Sequence, residues 1–132
     1  MREEVVIKNV LLLLANGYET FKASVFIDVI GWNKTEGNHS AQLYSCGLTR
    51  QVNTSFLQKS IVDYLIDEID VSKFDALAIP GGFGRFDYYK DAHSDKFIES
   101  IKKFNDENKI IASICTAARN FSITAGKSLL LC

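Results

Sequence analysis

Cys115 stands in Lys109-Ile110-Ile111-Ala112-Ser113-Ile114-Cys115-Thr116-Ala117-Ala118-Arg119, where an apolar run of strand length stops at the cysteine and a helix-compatible stretch follows at once. The residues two before and two after it, Ser113 and Ala117, are small. A strand–nucleophile–helix elbow needs that pattern, because its tight turn leaves no room for bulk on either side. A cysteine so placed sits beyond the carboxyl end of a sheet and at the positive end of a helix, and both features favour the thiolate. The plainer reading is a buried cysteine that packs as a small hydrophobe.

Glu19 opens the first helical stretch. One reading is an ordinary first-turn acid, favoured there by the helix dipole. The other is that Glu19 faces Cys115 across a crevice. It would then donate a hydrogen bond to the thiolate as a protonated acid, or shuttle a proton. Pro80-Gly81-Gly82-Phe83-Gly84 follows an apolar run. It is either a plain Gly-rich turn or a loop whose Gly81 and Gly82 N–H groups hold an oxyanion. It is not a phosphate loop, since no Gly-Lys-Ser/Thr stands at the required spacing after it; Gly126-Lys127-Ser128 has no Gly five residues before Gly126 and follows a helical stretch rather than a strand. Arg85 in that loop is an anion ligand or a solvated charge. His39 and His93 lie in polar connections, so a Cys–His pair requires one of them to fold back. Cys46 and Cys132 read as incidental.

The elements that must position these groups follow from hydrophobic periodicity. Residues 5–14 are a near-continuous apolar run, the pattern of a parallel strand buried on both faces. Asn16-Gly17-Tyr18 makes a turn. Residues 19–31 read as a helix with Phe21, Val25, Val29 and Trp32 on one core-facing stripe. Residues 41–48 and 74–79 are strands, and 50–68 holds short strand pieces and a connection. Residues 94–108 are helical, capped by Ser94, with Phe97, Ile101 and Phe104 facing the core. Residues 109–114 form the next strand. Residues 116–125 form the helix after the elbow, stopped by Gly126. Strands alternating with helices predict an α/β fold with an open, mainly parallel sheet covered on both faces. Right-handed crossovers bring the loops 16–19, 81–87 and 115–117 to one edge, where such sheets bind ligands.

Composition bounds the function. The 132 residues suit one domain, with 47% apolar and 23% charged residues. A net charge of −1, from 15 basic and 16 acidic residues without a basic block, points away from nucleic acid and anionic membranes. Three scattered cysteines, without a CxxC pair, argue against a disulfide framework or zinc site and for a reducing, cytoplasmic setting. No stretch has the length of a signal-peptide core or membrane span. No cofactor or metal is expected.

Together these residues resemble the ThiJ/PfpI superfamily, the Parkinson-associated deglycase-like proteins. The resemblance covers nearly the whole chain. It rests on the 10–14 strand with Asn16-Gly17-Tyr18-Glu19 and on the helix to Gly31. Phe74-Asp75-Ala76-Leu77-Ala78-Ile79-Pro80-Gly81-Gly82 and Ile111-Ala112-Ser113-Ile114-Cys115 complete it. It implies a flavodoxin-like three-layer sandwich, usually a homodimer. It also implies a nucleophilic, oxidation-prone Cys115, an acid partner at Glu19, and backbone donors at Gly81, Gly82 and Thr116. Thr116-Ala117 depart from the His-Gly found after the cysteine in many members. The chain stops at Leu129-Leu130-Leu131-Cys132, where the family runs on through a further strand and helix. Residues 1–132 are therefore expected to form one domain lacking those elements, with the sheet edge beside the nucleophile strand unpaired or covered by a partner.

The function expected from this resemblance is a cysteine-dependent enzyme acting on small reactive carbonyls, glyoxalase- or deglycase-like, through the Cys115 thiolate. The alternatives are an oxidative-stress redox sensor or chaperone-like protein with an oxidisable Cys115, and an inactive truncated member. Amide hydrolysis is less favoured, because no histidine is placed for it.

Overall fold

The computed structural model describes residues 6–114 and 129–131. The first strand, β1 (Lys8–Leu14), carries Leu11, Leu12, Leu13 and Leu14 almost without solvent exposure. Helix α1 (Thr20–Thr35) crosses to β2 (Ala41–Gly47), which pairs parallel with β1 in the register Leu14↔Gly47. A small antiparallel hairpin follows, β3 (Gln51–Asn53) with β4 (Lys59–Ile61), and then a short strand β5 (Tyr64–Leu65). Two single 3-10 turns lead to β6 (Ala76–Pro80), and helices α2 (Tyr88–Ala92) and α3 (Asp95–Asp106) lead to β7 (Ile110–Ile114). Strand β8 (Leu129–Leu131) completes the order β5-β2-β1-β6-β7-β8. Every pairing in this six-stranded sheet is parallel.

β1 lies between β2 and β6 with layers on both faces, which is why its sequence is a run of leucines rather than an alternation. Helix α3 matches its sequence pattern closely. Phe97, Ile101 and Phe104 are fully buried, and Ser94 Oγ accepts from the Phe97 N–H at 3.4 Å as the N-cap. The short pieces between residues 50 and 68 are β3, β4 and β5.

Two expectations are corrected. The stripe Phe21, Val25, Val29 and Trp32 does not face the core: these residues are 76%, 40%, 64% and 63% exposed. The buried position is Ala23, with Phe26 partly buried behind it. Apolar residues cover all of α1 except a strip at Ser24, Asp28, Gly31 and Thr35, so periodicity alone does not select the inward face. The small Ala23 is the residue that lets the helix lie close on β2 and β6. The helix also runs through Gly31 to Thr35. The second correction concerns the sheet edge beside β7, which is not open. Ala112, Ser113 and Ile114 pair with Leu129, Leu130 and Leu131, so β8 supplies the backbone partners that an edge strand would lack. The anticipated helix over 116–125, with its stop at Gly126, lies outside the described residues.

Candidate active site

Because the sheet is parallel, β1, β2, β6 and β7 all end at one edge, at Leu14, Gly47, Pro80 and Ile114. Pro80 and Ile114 are register partners, so β6 and β7 terminate side by side there. The crevice beyond such an edge is where parallel α/β sheets bind ligands. Residues 15–19 run out of β1 into it.

The chain at Tyr18 is held from both sides. Tyr18 bridges Thr54 in parallel fashion and Gly82 in antiparallel fashion. The Ser55 N–H donates to Tyr18 O at 2.8 Å, and Ser55 Oγ donates to Gly17 O at 2.9 Å. On the other side the Glu19 N–H donates to Gly81 O at 2.9 Å. Gly17 adopts φ +84°, and a Cβ there would meet Phe86 O. A side chain at that point would collide with backbone as well as strain the left-handed conformation. Gly82 is equally confined, since its Cβ would lie 2.4 Å from Gly17 O and 2.6 Å from Tyr88 Cδ2. The glycines of this edge therefore serve close backbone approach. Gly81 and Gly82 are buried.

Glu19 is the N-cap residue of α1, but its side chain makes no capping hydrogen bond. The carboxylate turns instead to Lys22, whose Nζ lies 2.8 Å from Oε2; the two side chains are only 18% and 23% exposed. Oε2 is buried, and among the described residues it accepts no aligned hydrogen bond. Lys22 also stands 5.4 Å from the centre of the Phe83 ring. Sequence reasoning missed Lys22, although the Glu-x-x-Lys spacing at a helix start was a readable signal for an i,i+3 pair. It had no means of finding Ser55, which reaches Gly17 across 38 positions of sequence.

The remaining candidates separate clearly. Cys115 and Thr116 lie outside the described residues. Ser113 Oγ, on β7, is buried and finds no hydrogen-bond partner among the described residues. His93 caps the end of α2 and packs against Tyr89 with tilted rings whose centres are 4.9 Å apart, and His39 precedes β2 at φ +50°. Cys46 is fully buried, and burial together with the Glu68 charge pushes its thiol up to about 12. Such a thiol is inert at neutral pH. Tyr88 belongs to the core, fully buried and donating to Pro80 O at 3.1 Å, whereas Phe83 faces solvent. Among the described residues there is no cluster of three or more His, Cys, Asp or Glu side chains that could hold a metal. Among them, too, no helix is long and apolar enough to cross a membrane.

A parallel sheet flanked by helices, with loops from two neighbouring strand ends clipped together at its carboxyl edge, defines a flavodoxin-like α/β protein. The DJ-1/PfpI family profile matches residues 8–127, and the chain belongs to that family. Among curated relatives it is 29% identical to Protein DJ-1 homolog B of Arabidopsis thaliana over 108 residues, which cover 82% of this chain and 23% of that protein. It is 41% identical to General stress protein 18 of Bacillus subtilis over 54 residues, 41% of this chain and 30% of that protein. The aligned part is thus under a third of either relative. Among solved structures, Toxoplasma gondii DJ-1 and Drosophila melanogaster DJ-1beta share the fold. Each has a TM-score of 0.73 at 22% identity over 89% of this chain, covering 61% and 60% of their own chains.

Proposed function

We propose that the chain is a cysteine-dependent catalyst acting on small reactive carbonyl compounds, with Cys115 as nucleophile and Glu19 as its proton carrier. The observation that carries this reading is Glu19 itself. It stands at the carboxyl edge, mostly shielded from solvent and excused from capping its own helix, with its buried Oε2 held 2.8 Å from Lys22 Nζ. β7, the strand that leads into Cys115, ends next to β6, whose following residue Gly81 is tied to the Glu19 backbone. In the proposed step the thiolate electron pair forms a C–S bond to the aldehyde carbon of a 2-oxoaldehyde. The C=O π pair moves onto oxygen. The developing alkoxide is held by N–H groups of the Gly81–Gly82 and Thr116 backbone. Glu19 takes up the proton that leaves the Cys115 thiol as the thiolate forms and returns it to this alkoxide, which completes the hemithioacetal.

A second reading is favoured by the similarity to a protein named for general stress. In it Cys115 oxidises to the sulfenic or sulfinic state without turnover. Both readings require a reactive thiolate. The pH dependence of alkylation, read cysteine by cysteine by peptide mass spectrometry, tests it. Cys115 should react fast, with an apparent pKa well below the roughly 8.5 of a free thiol. Methylglyoxal should add its mass to the Cys115 peptide. A Cys115 that alkylates like an unstructured thiol refutes both readings. A fast Cys115 that forms no methylglyoxal adduct leaves the redox reading.

We propose further that two copies associate through the outer face of α1. Phe21, Val25, Val29 and Trp32 form a continuous apolar stripe on that face. Beside it, Gly31 opens on empty space, where a Cβ would meet nothing within 4 Å. An apolar stripe beside a small-residue notch suits close helix-on-helix packing.

A further inference from the structure

Two loops flank Glu19, and both carry large apolar side chains outward. From residues 54–58 come Phe56 and Leu57, 75% and 94% exposed; from residues 82–86 come Phe83, 41% exposed, and Phe86. The Phe56 and Phe86 rings meet edge-to-face at 5.3 Å, so the two loops touch above Gly17. Each ring of the 82–86 loop has a cation beside it, Lys22 at Phe83 and Arg85 at Phe86, both at 5.4 Å from the ring centre. Lys22 is neutralised by Glu19, whereas Arg85 has no carboxylate partner among the described residues. Asp87, its near neighbour in sequence, lines the polar hollow over Gly17 together with Asn53 and Lys90. Among the described residues, the two loops thus combine exposed aromatic surface with one positive charge that has no carboxylate partner. Such a surface complements a molecule with an apolar, ring-bearing body and an anionic end.

We infer that these loops select the substrate class of the proposed reaction. The preferred carbonyl compounds carry an aromatic or similarly bulky apolar group and a negative charge, with the group seated on Phe83 and Phe86 and the charge paired with Arg85. This rests on the carbonyl reading above and deepens it from small carbonyls in general to arylated, anionic ones. Phe83, Phe86 and Arg85 are the specificity residues in this account, and none of them takes part in the bond-making step.

Protection of Cys115 from iodoacetamide by unreactive probes tests the inference on the full chain. The probes are 3-phenylpropanoate, propanoate and 3-phenylpropanol. The phenyl acid should protect at a concentration about tenfold below propanoate, the scale set by covering one aromatic face. It should also protect better than the uncharged alcohol. Phe83→Ala and Phe86→Ala should each erase most of the first difference, and Arg85→Gln the second. Phe83 and Arg85 are exposed and Phe86 is half-buried, and unchanged thermal unfolding checks that each variant folds. Equal protection by the three probes overturns the inference, as does selectivity that survives Phe83→Ala and Phe86→Ala. If the rings are instead covered by a second copy of the chain, alkylation rates depend on protein concentration and no probe discriminates, which also overturns it. The alkylation rate without probe separates the two failures. A fast Cys115 that forms the methylglyoxal adduct but shows no aryl selectivity sinks only this inference, whereas an ordinary Cys115 sinks the carbonyl reading with it.

Discussion

Replacing Gly82 by alanine probes the central geometric claim, that the loops around Glu19 are pressed together at backbone distance. The new Cβ would lie 2.4 Å from Gly17 O and 2.6 Å from Tyr88 Cδ2. Neither neighbour can give way freely. Gly17 O accepts from Ser55 Oγ at 2.9 Å, and the Gly17 N–H donates to Asn53 O at 2.8 Å. Tyr88 is fully buried and tied to Pro80 O. Relief therefore requires the Gly81–Gly82 segment to move away from residues 17–19, breaking or stretching its clips. Overpacking of this kind costs about 1–3 kcal/mol, and the loss of one buried hydrogen bond adds about 1 kcal/mol. Gly82→Ala should thus lower unfolding stability by about 2–4 kcal/mol, measured by urea denaturation at neutral pH. The same shift displaces the backbone donors assigned to the oxyanion. The variant's native fraction should therefore lose at least about tenfold in methylglyoxal adduct formation at Cys115, because removing one oxyanion donor costs more than that in comparable sites. A Gly82→Ala protein within about 0.5 kcal/mol of the parent, with unaltered Cys115 chemistry, would refute both the packing argument and the role given to the loop.

Two other perturbations test separate parts of the structure. Cys46 keeps its proton in the fold up to about 12, while the unfolded thiol loses it near 8.5. Stability from this group is therefore complete below about pH 8.5 and falls as pH rises toward 12, at up to about 1.4 kcal/mol per pH unit. Urea midpoints across that window should drop more steeply for the parent than for Cys46→Ala, and parallel lines would show that burial does not hold the thiol. On α1, the paired change Phe21→Glu and Trp32→Glu should convert a dimer to a monomer in sedimentation velocity without loss of helical signal. A parent chain already monomeric at micromolar concentration, or a variant that remains dimeric, would remove α1 as the interface.

The part of this protein legible in its sequence is the part fixed by one-dimensional pattern. The leucines of β1, the short apolar run of β6 and the Phe97–Ile101–Phe104 face of α3 each have a period that admits one placement, and each is found there. The order of strands and helices implies a parallel sheet, and chain polarity then sends residues 15–19 and 81–87 to the same edge. Glu19, Gly81 and Gly82 were singled out on that reasoning, and the fold clips their backbones together. Helix α1 shows where such reasoning stops. With apolar residues around most of its circumference, its inward face was settled by the close fit of Ala23 against the sheet, leaving Phe21 and Trp32 outside. Tertiary structure alone also decided the Ser55 clamp on Gly17, the pairing of β8 with β7, and the meeting of Phe56 with Phe86. All three join residues distant in sequence through contacts of a few ångströms, and such contacts follow from how the layers pack rather than from local residue type.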